Sequence, residues 1–407
     1  MTRMHKKTAL ACACVALACA CIGMCALALL CACAPLAGTL QRTVWSAGNE
    51  VSEISAKTRQ SALRVTGEPL TGWYIDRLEG EEFDLFYAMY NAAARSKAGV
   101  GMGGAPFSAM FRALTALRYD CPELFHLTGN VDYSYGKDAD GAQAVFRVTF
   151  EYAHSAGEYA AMLTDTLALL DEWKAAVSAM SELEAERYLY DAVLSRCEYE
   201  KGEGDSNAYG ALMGGNAVCM GYAFALGLSL RYCAGLECLY VGGEANDPYE
   251  GGKEAHAWCI ASINGAYCAL DPTWDDMGAR EGWLPAYFNL DDETMLKSRA
   301  YDAEYTDFAP LPKCETMEYE AYTAAGRFLA AEENAKAGVF AMLEEKKASG
   351  EGGIAFRVAT RGQFDEIAEN LSDWLNAWCE ENDPGVSGYS AVLEDESLIV
   401  WVGDFQR

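Results

Sequence analysis

The sequence predicts a mixed α+β chain of several domains behind an apolar N-terminal segment. Three observations predict it. Apolar residues repeat with helical spacing in some stretches and alternate with strand spacing in others. An Asn-Gly pair at 264–265 separates two short apolar runs, which is the strongest short-range hairpin signal. The chain has 407 residues, more than one ordinary domain uses. Half of it is apolar (51%) and 12% is aromatic, so sizeable cores can be buried.

The elements follow in order. Arg3, Lys6 and Lys7 precede an almost uninterrupted apolar run over residues 8–36, with no acidic residue before Glu50. A positive flank before such a run reads as an export signal or a membrane anchor. The run is longer than a usual signal-peptide apolar region and long enough to span a bilayer. Positive-inside logic then places the rest of the chain outside the cytoplasm. Leu30-Cys31-Ala32-Cys33 resembles a bacterial lipoprotein box with Cys33 as the lipidated residue. Uncleaved anchor, lipoprotein and cleaved signal peptide all stay open. Residues 1–36 are thus a signal peptide or transmembrane anchor, and 37–65 are a polar linker.

Residues 66–155 are expected to form a small mixed α/β domain, with helices over 82–98 and 106–118 and a hairpin of strands over 131–135 and 145–152. Lys137-Asp138-Ala139-Asp140-Gly141 supplies the turn. Residues 156–310 form the next domain. It opens on helices over 156–180 and 182–197 and a Gly-rich loop over 201–216. Residues 219–232 are apolar all round, so they predict a helix buried inside a domain. A strand over 237–242 and the Asn-Gly hairpin follow. Residues 311–407 form a C-terminal α/β domain: a helix over 321–347, a strand over 354–359, a helix over 363–381, and a hairpin over 390–393 and 397–402. Nothing in it points to catalysis.

Charge and cysteine usage exclude some functions. The net charge of -29 argues against nucleic acid, which needs clustered Lys and Arg. It permits a cationic or amine-bearing substrate. Seven of the 16 cysteines lie in the apolar run; the others are Cys121, Cys197, Cys219, Cys233, Cys238, Cys259, Cys268, Cys314 and Cys379. An exported location would permit disulfides. No His/Cys spacing suits zinc, and Gly101-Met102-Gly103-Gly104 lacks the Lys and Ser/Thr of a phosphate loop, so no metal or cofactor is expected.

Histidine is scarce: His5, His126, His154 and His256. His256 has context. A two-residue Asn264-Gly265 turn sets Ile263 opposite Ala266 and Trp258 opposite Asp271. His256, two residues before Trp258, is then a diagonal same-face neighbour of Asp271. That is the base and orienter half of a triad. Cys219 enters the buried helix from a glycine-containing loop. A helix N-terminus favours a thiolate and presents free N–H groups to an oxyanion. The backbone N–H of Cys219 is one such donor; no second is identifiable. Trp258 and Trp274 either wall a substrate groove or belong to the core. Tyr188 and Tyr190, two apart, do not share a helix face, and with Tyr199 they read as packing residues.

Gly214-Gly215-Asn216-Ala217-Val218-Cys219-Met220-Gly221-Tyr222-Ala223, His256-Ala257-Trp258 and Asp271-Pro272-Thr273-Trp274-Asp275-Asp276 resemble, in that order, the blocks of bacterial transglutaminase-like proteins. The likeness covers about a quarter of the chain. It implies a papain-like α+β core, with Cys219 as nucleophile, His256 as base and Asp271 as orienter. The core would be flanked by smaller N- and C-terminal α/β domains. Cys121-Pro122-Glu123-Leu124-Phe125-His126 is similar to a segment of such exported proteins, which have His where Cys121 stands and Trp where His126 stands. The resemblance implies thioester chemistry on a peptide, protein or cell-wall peptide, which the N-terminal segment would place at the outer face of the membrane. Water as acceptor would make a peptidase or amidase; an amine would make a cross-linking transamidase. A catalytically silent surface binding protein is the rival of another class.

Overall fold

The computed structural model describes residues 56–200, 205–246, 251–277, 282–302 and 309–406. The apolar run, Cys33 and most of the linker lie outside the described residues. Among the described residues, no helix is long and apolar enough to cross a membrane.

The first unit holds helix α1 (Glu81–Ala93), strand β1 (Gly99–Ala105), helix α2 (Phe107–Asp120) and strands β2 (Leu127–Lys137) and β3 (Gln143–Tyr152). Its sheet runs β1-β3-β2, antiparallel throughout. The expected hairpin forms between β2 and β3. The Asp138 carboxylate accepts the N–H groups of Asp140 and Ala142, which closes the turn. Residues 94–98, expected to extend α1, are non-helical. The chain turns there at Ser96 (φ 51°) and starts β1 instead.

Two long helices follow, α3 (Ala156–Val177) and α4 (Glu182–Leu194). Both begin in capping boxes, Ser155 with Glu158 and Ser181 with Glu184. Each box satisfies two otherwise orphaned N–H groups and fixes where the helix starts. The all-apolar segment forms helix α5 (Cys219–Ser229), continued by a wider turn at Leu230–Ala234. It packs on strands β4 (Cys238–Asn246) and β5 (Lys253–Ile263), which continue to β6 (Ala266–Leu270) and the short helix α6 (Pro272–Met277). With β7 (Arg299–Tyr301) the strand order is β6-β5-β4-β7, again antiparallel. One helix laid on an antiparallel sheet is the expected α+β core. Tyr222, Leu226, Trp258 and Ile260 are fully buried in it. Burial of a large apolar side chain stabilises by about 1.5–3 kcal/mol each.

One continuous apolar core runs from Ala62 to Ala321, so the first unit and the α5–β5 region are packed together. Tyr119 stacks on Tyr240 of β4 at 4.6 Å, and the Tyr74 hydroxyl donates to the Tyr240 carbonyl. The last residues of the expected linker belong to this core. Arg64 is buried and bridges Glu123 at 2.8 Å, while Arg231, after α5, binds the other Glu123 oxygen at 3.1 Å. A carboxylate shared by two guanidinium groups is adequately compensated for its burial. The Cys-Pro-Glu segment therefore serves as the ionic joint behind α5. His126, at its end, stacks on Tyr159 at 3.6 Å and contacts the Ala93 carbonyl, as a core histidine does.

The C-terminal unit has its own core, with sheet order β8-β9-β11-β10. These strands are β8 (Phe328–Leu329), β9 (Gly353–Val358), β10 (Gly388–Glu394) and β11 (Ile399–Gln406). Helices α7 (Ala335–Ser349) and α8 (Arg361–Asn382) complete it. The single helix expected over 321–347 is not formed. Gly326 (φ 72°) ends a short first turn, and β8 intervenes before Asn334 caps α7.

Candidate active site

Cys219 is the first residue of α5 and is half-buried. A two-residue parallel ladder, Glu198–Tyr199 with Asn216–Ala217, anchors the loop before it. Gly221 allows this loop to lie against the helix. A Cβ there would meet the Asp205 carbonyl oxygen at 2.5 Å and the Ala217 Cβ at 2.7 Å. The Gly221 and Tyr222 N–H groups bond back to the Val218 carbonyl, and Val218 provides no side-chain cap. The N–H groups of Cys219 and Met220 are then the first-turn donors that helix geometry leaves for an anion.

The β5–β6 hairpin has the register that the Asn-Gly turn dictates: Ile263 pairs with Ala266 and Cys259 with Leu270. Asn264 (φ 50°) and Gly265 (φ 83°) both occupy the left-handed region that this turn requires. Glu182 fixes the turn to α4 by accepting the Asn264 N–H at 2.6 Å. The ladder brings His256 and Asp271 together, Nε2 to Oδ2 at 2.7 Å. Asp271 engages Nε2, so Nδ1 is the other ring nitrogen, and Cys219 is among the groups that shift the imidazole.

Electrostatics set the protonation. Burial pulls the His256 pKa down, but the Asp271 charge, its hydrogen bond and the Cys219 contact outweigh burial and raise it to about 9. Burial likewise pushes Asp271 up, and His256 with Arg299 overcome this and hold it at about 2. The site is therefore an imidazolium clamped to a carboxylate at neutral pH.

Arg299 is the participant that sequence reasoning missed. Its Nε and Nη2 donate to Asp271 Oδ2 at 3.0 and 2.5 Å, and its guanidinium lies over Trp274 at 4.1 Å and Tyr287 at 4.4 Å. The other Asp271 oxygen accepts the Trp274 N–H at 3.2 Å. The orienting carboxylate is thus held from both ends.

Two candidate groove residues move into the core. Trp258 is 0% exposed and stacks on Tyr301 at 5.6 Å; Trp274 is 6% exposed and meets Tyr287 edge-on at 5.2 Å. Both rings lie about the imidazole, with centroids 6.0 Å from it, so they shield it from water instead of walling an open groove. The two acids after Trp274 brace the surroundings. Asp275 accepts the Tyr190 hydroxyl at 2.5 Å and the Ala286 and Tyr287 N–H groups, and burial raises its pKa to about 7. Asp276 accepts from the Tyr222 hydroxyl on α5.

All nine cysteines among the described residues are free thiols, and no cluster there is arranged to hold a metal ion.

Residues 171–272 match the transglutaminase-like superfamily, a span that includes Cys219, His256 and Asp271. No curated protein matches the chain. Among solved structures, it is similar to a candidate cysteine protease from Cytophaga hutchinsonii at 13% identity and TM-score 0.23, covering 36% of this chain and 63% of that one. It is similar to a structure named as a TGase at 11% identity and TM-score 0.24, covering 50% and 53%. The chain thus spans between half and two thirds of the length of either protein.

Proposed function

From the transglutaminase-like domain at residues 171–272, we propose that the protein is a cysteine acyl-transfer enzyme that cleaves a peptide or peptide-like amide by way of a thioester on Cys219. The observation that carries this reading is the His256 imidazole, held by the Asp271 carboxylate at 2.7 Å, with Cys219 among the groups that set its charge. An imidazolium beside a thiol at a helix start is the charge partner that a thiolate nucleophile needs.

The Cys219 sulfur attacks the amide carbonyl carbon, and its oxygen takes the negative charge. The first-turn N–H groups of Cys219 and Met220 face that oxyanion. His256 passes its Nδ1 proton to the amide nitrogen, the C–N bond breaks, and the amine leaves. Neutral His256 then takes a proton from water as the water attacks the thioester. The C–S bond breaks, releasing the acid and regenerating the imidazolium pair. Asp271 keeps its charge throughout and holds the ring in the tautomer that aims Nδ1 at sulfur.

Burial of Trp258 and Trp274 supports hydrolysis over amine transfer, because it removes the aromatic walls with which a water-excluding amine slot could be built. The site belongs outside the cytoplasm in this reading, on the strength of Arg3, Lys6, Lys7 and the apolar run after them. The substrate class is then an extracytoplasmic or cell-wall peptide. The test incubates the protein with cell-wall and surface-protein extract and a labelled primary amine. Cys219-dependent cleavage without amine incorporation is expected. Cys219-dependent incorporation would replace hydrolysis by transamidation. Neither product, from folded protein with an intact Cys219 thiol, would favour a binding protein that keeps the fold.

A further inference from the structure

Helix α6 (Pro272–Met277) lies between the two halves of the site. Asp271, immediately before it, orients His256. Its last turn carries Asp276, and the helix packs both on α5 and on the short strand Glu198–Tyr199. The Oδ2 oxygen of Asp276 accepts two hydrogen bonds, one from the Tyr222 hydroxyl at 2.8 Å and one from the Tyr199 backbone N–H at 3.0 Å.

Those two donors flank Cys219. Tyr222 follows it by one helical turn on α5 and is fully buried. Tyr199 belongs to the strand that aligns the residues before Cys219. The Glu198 N–H bonds the Gly215 carbonyl at 3.0 Å, and the Glu200 N–H bonds the Ala217 carbonyl at 3.1 Å, so the entry loop is held along one edge of that strand. The Val218 N–H is taken in turn by the Asp205 carbonyl at 3.1 Å. The Tyr199 N–H, between the two ladder donors, goes instead to Asp276. One carboxylate oxygen therefore ties the strand before Cys219 to the helix that begins at it. Hydrogen bonds to an ionised acceptor are shorter and stronger than neutral ones, which suits such a tie.

We infer that Asp276 is a positioning residue for Cys219, acting through the Tyr222 hydroxyl and the Tyr199 N–H. The inference rests on the acyl-transfer reading of the Cys219–His256–Asp271 site. The nucleophile and its base stand on different elements, α5 and β5. Helix α6 meets both: Asp271 at its start holds the ring, and Asp276 in its last turn holds the two segments that flank the thiol. A short helix is a rigid spacer, so these two carboxylates fix one half of the site relative to the other. Misplacement of reacting groups by about 1 Å costs about 100-fold in rate, so such a spacer matters to the chemistry. Charge alone would act in the opposite sense. Removing a negative charge from this neighbourhood would favour a thiolate and speed its alkylation, whereas loss of position slows it.

The test uses the full chain and needs no substrate. The rate of Cys219 alkylation by iodoacetamide at pH 7.5 is measured by peptide mapping for the parent, D276A, D276N and Y222F, each with its melting temperature. D276A is expected to slow labelling about tenfold. D276N loses the charge but keeps an oxygen that accepts both bonds, so it is expected to stay within about twofold of the parent. Y222F, which removes one of the two donors and keeps the ring, is expected to slow labelling about threefold. D276A labelled at the parent's rate or faster would overturn the inference, and so would D276N as slow as D276A. Should D276A fail to melt cooperatively, Y222F decides, and labelling at the parent's rate there overturns the inference. If Cys219 in the parent is labelled no faster than the other cysteines, the acyl-transfer reading fails by itself. The tie is then decided by hydrogen exchange of the Glu198, Glu200 and Val218 amides, which report the strand and loop before Cys219. They are expected to exchange about tenfold faster in D276A than in the parent, with D276N like the parent; unchanged exchange in D276A overturns the tie.

Discussion

Replacing Asp271 with Asn separates what holds this site together from what makes it reactive. Asp271 raises the His256 pKa from the ordinary 6.5 to about 9 against the pull of burial. That shift corresponds to about 3 kcal/mol favouring the charged ring. At pH 7.5 an imidazole with a pKa near 9 is protonated about 30:1, whereas one at or below 6.5 is protonated at most about 1:10. Asp271→Asn therefore lowers the population of imidazolium at least tenfold. It also frees the ring from a 2.7 Å bond that selects its tautomer, so Cys219 alkylation at pH 7.5 should fall by two orders of magnitude or more. Stability moves for a different reason. Arg299, 0% exposed along its side chain, loses its carboxylate, and an uncompensated buried charge costs about 3–5 kcal/mol. The double variant Asp271→Asn/Arg299→Met removes that orphan charge and should regain much of the melting temperature while staying unreactive. Iodoacetamide kinetics against pH and thermal melts of the three proteins measure both effects. Retained reactivity in Asp271→Asn, or a double variant no more stable than the single, would refute the reasoning.

Two further outcomes test the surroundings. Glu186 is buried on α4 with its Oε1, like Asn289 Oδ1, lacking a partner, and burial raises its pKa to about 8. A raised carboxyl contributes stability below its unfolded value near 4.5 and loses it as pH rises through about 8. Glu186→Gln should therefore melt progressively higher than the parent from pH 6 to pH 9.5 and show the smallest difference at pH 5; melting curves across that range decide it. Gly221→Ala places a methyl 2.5 Å from the Asp205 carbonyl oxygen. Displacing that backbone costs about 1–3 kcal/mol, so the melting temperature should drop and Cys219 labelling should slow, both absent if the loop simply gives way.

Sequence and structure agree where a short-range rule dictates geometry. A two-residue Asn-Gly turn allows one register, so the neighbourhood of His256 and Asp271 follows from counting residues. The all-apolar pattern of 219–232 leaves burial as its only stable outcome, which places Cys219 at the mouth of a central helix. The differences arise where long-range packing decides. Strand β1 has four glycines in seven residues, a composition that no strand propensity favours, and it forms because β3 offers it a partner. Trp258 and Trp274 carry no mark that tells a groove wall from a core ring. Burial assigns them to the core, where both pack about the imidazole.

Arg299 shows most clearly what a linear reading lacks. It stands 28 residues beyond Asp271, on a three-residue edge strand, with no motif around it. The sequence does contain a signal of another kind. Asp271 is wholly buried, and a buried carboxylate that serves one histidine still has lone pairs to satisfy, so a second donor had to come from somewhere in the chain. The same requirement carries one step further. A guanidinium taken out of water has five N–H groups to place, and Asp271 accepts from only Nε and Nη2. Ser298 takes Nη1 at 2.7 Å. The need to satisfy each buried polar group in turn leads from Asp271 to Arg299 and from Arg299 to Ser298, neither of which any motif marks.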